Sequence, residues 1–208
     1  MIECFFDCSS PWTYIAFRNI QPLAAELKTG ISWRPVLVGG IFNSVNKGIY
    51  AAREDLNSPK NRYMLKDVRD CAREAGLQIV FPPKVFPVNS VKAMRGCLWI
   101  TQDAAAKASF LPFIEATFAA YFSREHDISQ DSVLTEICNL TGIDSAAFFE
   151  GIARPDIKNQ LKANTDEAIQ RGVFGSPTFF VGDDIYFGSD RLALVKSAVL
   201  HNKADRQA

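Results

Sequence analysis

Two junctions far apart in the chain constrain its fold more than any other feature. The first is Asp7-Cys8-Ser9-Ser10-Pro11-Trp12-Thr13-Tyr14, which joins the apolar stretch 2–6 to an amphipathic stretch. Ser10 and Pro11 fall where a strand gives way to a helix, Ser being a frequent N-cap and Pro a frequent first helical residue. A helix N-terminus gathers unpaired N–H groups and the positive end of the backbone dipole. A hydroxyl there helps to hold an anion, a thiolate included. Plain capping is the alternative explanation of the same two residues. The second junction is Gly172-Val173-Phe174-Gly175-Ser176-Pro177-Thr178-Phe179-Phe180-Val181, two glycines and then a Pro that opens a β-rich run. Pro is tolerated at the start of a strand and takes up cis bonds in tight turns. An ordinary turn is the plainer alternative here.

The rest of the chain supplies a frame for these junctions. Residues 2–6 read as a buried strand. Residues 11–27 read as a helix, with Trp12, Ile15, Ala16, Ile20, Leu23, Ala24 and Leu27 near a 3.6-residue period and Gly30 following as a stop. Residues 31–38 read as a second strand ended by Gly39-Gly40. Strand, helix and strand in this order predict a βαβ unit with parallel strands. From about residue 41 to 174 the pattern is helical, with candidates at 63–75, 90–107, 109–123, 129–140 and 157–171. Ser129 and Asp144 read as N-caps and Gly142 as a helix stop. The Pro-rich run Phe81-Pro82-Pro83-Lys84-Val85-Phe86-Pro87-Val88-Asn89 breaks the series. Residues 178–181 and 185–187 form a hairpin around Gly182-Asp183-Asp184, and 190–201 closes the chain as a helix. The fold class is thus α/β: βαβ, a long helical insert, then ββα, with a core of 1–42 and 173–208 and an insert of 43–172.

Composition narrows the function classes. With 208 residues the chain is long enough for a substantial core, and 23 basic residues balance 23 acidic ones. No dense Lys/Arg stripe favours nucleic acid or an anionic membrane. No apolar stretch is long enough to span a bilayer, and no basic, then apolar, leader opens the chain. Cys4, Cys8, Cys71, Cys97 and Cys138 are odd in number, scattered, and without a Cys-x-x-Cys pair. That argues against a disulfide scaffold or a metal site and for reduced thiols in the cytoplasm. His126 and His201 are the only histidines and sit at a helix end and near the tail, so a Ser-His-Asp hydrolase lacks a placed base.

The two junctions, in this order, resemble the thioredoxin superfamily, and the helical insert resembles its DsbA-like branch. The nearest resemblance is to 2-hydroxychromene-2-carboxylate isomerases and kappa-class glutathione transferases. It is carried by Phe6 to Tyr14, Trp33-Arg34-Pro35-Val36-Leu37 with Gly39-Gly40-Ile41-Phe42, Asn46-Lys47, Pro59-Lys60 with Tyr63-Met64 and Asp67, and Phe86-Pro87-Val88-Asn89-Ser90 with Ala93 and Arg95. Later matches are Gly172 to Phe179 and Phe187-Gly188-Ser189-Asp190-Arg191-Leu192. Disulfide oxidoreductases of this branch carry Cys-Pro-x-Cys at the helix start, where this chain has Ser10-Pro11-Trp12-Thr13. Dithiol exchange needs an attacking and a resolving sulfur, and neither is there. Cys8, where such isomerases more usually have Phe, reads as a strand-end packing residue.

The resemblance implies that glutathione supplies the thiol. A free thiol near pKa 8.5 is only a few per cent ionised at neutral pH. Lowering that by about two units takes roughly 2.7 kcal/mol of preferential thiolate stabilisation. Ser10 and the helix N-terminus are the expected source. Ser176, before Pro177, is expected to pair with the cysteinyl part of the tripeptide. Ser189 and Asp190 are expected at its γ-glutamyl end, and Asn46 and Lys60 on the insert side. For the isomerase, Asn89 is expected at the substrate's oxygens and Arg34 at a carboxylate, a structural salt bridge being the alternative for Arg34. Trp12, Phe42, Phe81 and Phe86 are candidate aromatic walls. The implied reaction interconverts 2-hydroxychromene-2-carboxylate, or a close aromatic analogue, and its opened trans enone by thiolate addition, bond rotation and elimination, with no metal. A kappa-like transferase and a non-catalytic peptide-binding module are the alternatives. A homodimer is implied by kinship alone.

Overall fold

The computed structural model describes residues 1–49, 55 and 57–204. Strand β1, Ile2–Phe6, is the centre of the packing because both of its faces are buried. It pairs in parallel with β2, Ile31–Pro35, and antiparallel with β3, Thr178–Val181. A hairpin then adds β4, Asp184–Phe187, giving the order β2-β1-β3-β4. Between β1 and β2 runs α1, Pro11–Glu26, so the expected parallel βαβ unit is present. Among the described residues eight further helices follow: α2, Val38–Val45; α3, Pro59–Glu74; α4, Val91–Gln102; α5, Phe110–Phe118; α6, Asp131–Leu140; α7, Ser145–Ala153; α8, Pro155–Gln170; and α9, Leu192–Ala204. None of them is long and apolar enough to cross a membrane.

Period-two alternation along β1 divides the core. Ile2, Cys4 and Phe6 face the larger cluster with α1 and the helical segment, where Phe6 and Phe17 pack on Trp33 and Tyr14 stacks on Phe118. Phe5 faces the smaller cluster with Val36, Ile41, Ala168, Val173 and Phe180. On that second face Glu3 is held by Arg171 at 2.9 Å and Arg34 at 3.1 Å, and both guanidiniums lie over the Phe5 ring. Arg34 and Arg171 also pair with Glu167. The hydrogen bond from Arg171, assisted by its charge and by Arg34, holds the Glu3 carboxyl below its ordinary value.

Several element boundaries differ from the sequence expectation, each for a local reason. The second strand stops at Pro35, and Gly39-Gly40 lie inside α2 instead of ending a strand. The Leu37 N–H goes to Thr165 Oγ1 at 3.1 Å and the Val38 N–H to Asp7 Oδ2 at 2.9 Å, so the ladder loses its next donors to side chains. Helix α4 starts at Val91 and ends at Gln102, because Asp103 turns extended and takes the N–H groups of Ala105 and Ala106. The run after Ser109 is α5 followed by one π turn, Ala119–Ser123. Gln130, not Ser129, is the N-cap of α6, the Ser129 N–H being taken by Asp127 Oδ1. Helix α3 begins at Pro59, capped by the Ser58 hydroxyl. Helix α8 likewise begins earlier than expected, at Pro155, and a 3-10 turn, Ser189–Arg191, precedes α9. Asp144 caps α7 through the Ala147 N–H, and Gly142 stops α6 region with φ +71°. Helix α7 is thus opened by the expected cap, although no helix range is predicted over 145–153.

Close packing joins α7 to α4. A Cβ on Gly151 would sit 2.2 Å from Trp99 Nε1, and one on Gly96 would sit 2.5 Å from Phe148 Cε2. Gly151→Ala gains up to about 1 kcal/mol of helix propensity. The forced shift of a buried indole costs about 1–3 kcal/mol, so a net loss is expected in urea unfolding. Arg171→Ala is expected to cost about 1–2 kcal/mol at neutral pH through the lost ion pairs and ring contacts. Glu3 has a depressed folded pKa, so its pairing stabilises above the unfolded value near 4.5 and is lost as pH falls through the lowered one. The gap between Arg171→Ala and the parent chain should therefore narrow in acid, as read from unfolding curves at stepwise lower pH.

Candidate active site

Sheet register brings both junctions to one end of the molecule. Phe6 pairs with Pro35, Phe5 with Thr178, and Thr178 with Phe187. The turn after β1, the turn after β2, the Ser176-Pro177 turn and the end of β4 must therefore emerge side by side. They enclose a cavity of about 610 Å³. The starts of α1, α2 and α4 contribute Ser10, Pro11 and Trp12, then Val38 and Gly39, then Ser90 and Val91. Its apolar walls are Trp12, Phe42, Phe81 and Phe86, all four of the expected aromatics, together with Met64, Phe174 and Phe187.

Ser10 is the N-cap of α1, 9% exposed, with Pro11 as the first helical residue. Its hydroxyl accepts the Thr13 N–H at 3.2 Å and donates to the Ser176 carbonyl at 2.8 Å. A serine has one hydroxyl proton, and here it is committed to Ser176. The Ser176 hydroxyl accepts the Asp7 N–H at 3.0 Å and hydrogen-bonds the Thr13 hydroxyl at 2.8 Å. The Ser176-Pro177 peptide is cis. Hydroxyls thus occupy the first and fourth positions of Ser10-Pro11-Trp12-Thr13, and both are bonded to the same loop. No thiol lies in that row. Cys8 is fully buried, its N–H directed at Met94 Sδ, and burial beside Cys97 and Asp7 pushes its thiol well above the ordinary value. It packs as a protonated side chain.

The cavity gathers Ser10, Trp12, Asn46, Lys60, Asn89 and Ser176. Asn46 Nδ2 also donates to the Phe174 carbonyl at 3.3 Å, tying the insert side to the Ser176 turn. Asn89 Oδ1 accepts the Val91 N–H at 3.0 Å and so fixes the start of α4. Other expected residues lie elsewhere. Pro177 is buried behind Ser176, its carbonyl accepting the Gly188 N–H, and does not line the cavity. Ser189 and Asp190 stand in the 3-10 turn beyond Phe187, outside the lining, with Asp190 paired to Arg191 at 2.9 Å. Of the two readings of Arg34 the structure shows the salt bridge and corrects the substrate carboxylate: it pairs with Glu3 and Glu167 on the far face of the sheet and does not line the cavity.

Asp7 was not singled out in the sequence, although it lines the cavity and is 1% exposed. Its Oδ1 accepts the Ser9 N–H and its Oδ2 the Val38 N–H, both at 2.9 Å, and the neighbouring Ser90 side chain also favours its ionised form. Burial nevertheless raises its pKa, these partners opposing. An acid placed directly after the buried Cys4-Phe5-Phe6 run was the available signal.

The chain matches the DSBA-like thioredoxin domain family over residues 1–200. It is 25% identical to 2-hydroxychromene-2-carboxylate isomerase of Pseudomonas putida over 199 residues, 96% of this chain and 94% of that protein. It is 28% identical to glutathione S-transferase kappa 1 of Homo sapiens, covering 93% and 88%. A solved 2-hydroxychromene-2-carboxylate isomerase superposes with a TM-score of 0.79 at 24% identity, over 99% of this chain and 96% of that one, which extends the likeness in fold to nearly every residue. By sequence match and by architecture alike, this chain belongs to the DSBA-like thioredoxin domain family.

Proposed function

We propose that this chain is a glutathione-dependent isomerase that interconverts 2-hydroxychromene-2-carboxylate, or a close aromatic analogue, and the opened trans enone in aromatic hydrocarbon breakdown. The observation that carries the reading is Ser10: a hydroxyl at the N-terminus of α1, beside the Ser176-Pro177 turn, where a disulfide oxidoreductase has its attacking sulfur. The tripeptide provides the missing thiol. Ser176 pairs with its cysteinyl part, Asn46 and Lys60 approach it from the insert side, and Ser189 and Asp190, in the turn just beyond Phe187 of the lining, belong to its γ-glutamyl end. The aromatic substrate lies among Trp12, Phe42, Phe81 and Phe86, with Asn89 at its oxygens. Both proposed parts of the chain serve both ligands: core residues 1–42 and 173–208 supply Ser10, Ser176, Trp12 and Phe42, and insert 43–172 supplies Asn46, Lys60, Phe81, Phe86 and Asn89.

For Ser10 to steady a thiolate, its single proton must leave the Ser176 carbonyl. A hydrogen bond to a charged acceptor is roughly twice as strong as one between neutral partners, so the arriving thiolate draws the hydroxyl away. The thiolate adds to the conjugated double bond, the former double bond rotates as a single bond, and elimination restores the alkene and the free tripeptide. Unpaired, largely buried cysteines fit a reducing cytoplasm, and a homodimer completes the proposal.

The identity to the human kappa-class protein favours a second reading, a transferase that conjugates electrophiles. Stoichiometry separates the two. An absorbance assay on 2-hydroxychromene-2-carboxylate should show isomerisation only with added glutathione and no net thiol consumption. Turnover independent of glutathione would sink both readings, and stoichiometric loss of thiol would select the transferase. Ser10→Ala should keep the fold, losing about 1 kcal/mol of capping, and lower kcat about 10²-fold. Unchanged turnover in a folded Ser10→Ala chain would remove Ser10 from the mechanism.

A further inference from the structure

Asp7 is the costliest residue at the cavity, and Ser10 and Asn89 give no reason for its presence. A carboxylate that is 1% exposed loses its hydration, and among the described residues it makes no ion pair. What it does have is a backbone donor from each of two helix starts and the polar side chain of a third beside it. The Ser9 N–H comes from the turn that leads into α1, the Val38 N–H is the first of α2, and the Ser90 side chain that favours the ionised carboxyl belongs to the N-cap of α4. Its backbone joins the same assembly: the Asp7 N–H donates to Ser176 Oγ at 3.0 Å, and the Asp7 carbonyl accepts the Ser10 N–H at 3.2 Å. Through one residue the segments that build the cavity are held to each other and to Ser10.

We infer that Asp7 is a positioning residue which, by clamping the starts of α1, α2 and α4 around the cavity, holds the Ser10 hydroxyl where it meets a bound thiolate. The inference rests on the glutathione reading above and adds to it a residue that touches neither thiol nor substrate. Acceptor capacity is the chemical requirement. Two backbone N–H groups point at two different oxygens, and only a carboxylate offers an acceptor to both. In Asp7→Asn one of those N–H groups faces an amide N–H instead, so either the α1 turn or the start of α2 comes loose. Cys8, on the same segment, is the titratable neighbour of Asp7, and Lys60 of α3 is the other charged side chain in the lining among the described residues.

The thiol pKa of bound glutathione separates positioning from mere charge and from mere packing. It is read from thiolate ultraviolet absorbance during pH titration, with affinity from calorimetry. In the parent chain the bound thiol should titrate well below free glutathione. In Asp7→Asn it should rise by about one unit or more while the dissociation constant changes no more than a few-fold. If Asp7 acted only as a nearby negative charge, its removal would lower the thiol pKa, and that result overturns the inference. So does an unchanged pKa, which is also what a purely structural residue gives. The Ser90 side chain makes no capping bond to α4, so Ser90→Ala removes little besides its tie to Asp7 and should give a smaller rise. If Asp7→Asn does not fold, Ser90→Ala decides, an unmoved thiol pKa overturning the inference. A parent chain that binds no glutathione, or binds it with an unshifted thiol, defeats the glutathione reading itself and is told apart from these outcomes before any variant is measured.

Discussion

The hydrogen bonds between the turn after β1 and Ser176 govern everything else at this end of the molecule. Their partners are 163 to 169 residues apart in the chain. Closing so long a loop costs entropy that three hydrogen bonds of about 1 kcal/mol each do not offset by themselves. The closure is made instead by the sheet. Antiparallel pairing of β1 with β3, buried on both faces, delivers Ser176 to Asp7, Ser10 and Thr13, and the hydrogen bonds then select one arrangement from those the sheet permits. Burial supplies the energy and polar contacts the specificity. Substitutions in the Phe5–Phe180 packing and at Ser176 should accordingly fail differently, the first by unfolding and the second by loosening the site.

Much of this was legible in the sequence because the decisive signals were local. Ser10-Pro11 marks a helix start by its own backbone chemistry, and the short apolar, aromatic runs at Ile2–Phe6 and Thr178–Val181 mark strands wherever they pair. The aromatic walls were legible too, since Pro-bounded Phe81 and Phe86 cannot sit within a helix. What was hidden depended on distant partners. Nothing near Gly39-Gly40 announces that Asp7 and Thr165 will take the next two backbone donors and turn a strand into α2. Arg34 looks like a ligand residue until the register of β1 with β2 sets Phe5 beside it and α8 brings Glu167. Of α7 only the Asp144 cap was legible, because the glycine near its end serves packing against Trp99, not the helix. Asp7 was missed because its polar partners come from sequence positions 9, 38 and 90, and no window spans them.

Replacement of sulfur by hydroxyl at both ends of Ser10-Pro11-Trp12-Thr13 changes what the same scaffold can do. A thiol pair stores electrons; a hydroxyl pair stores none, and each hydroxyl here is already spent on the facing loop. Such a site has no thiol in that row. Its capacity lies in the contrast between neutral and charged acceptors. The Ser176 carbonyl holds the Ser10 proton with a bond between neutral groups, and an anion at the α1 N-terminus offers a stronger one, reinforced by the helix dipole. An anion would thus be met by a donor that a neutral ligand leaves in place. Discrimination of this kind needs the hydroxyl to be held near both acceptors and free to choose between them, which is a demand on the spacing of the two junctions rather than on Ser10 alone. The buried carboxylate of Asp7 meets that demand at the cost of its own hydration, and an apolar residue of the same size would pack more cheaply but leave the N–H groups of Ser9 and Val38 without an acceptor.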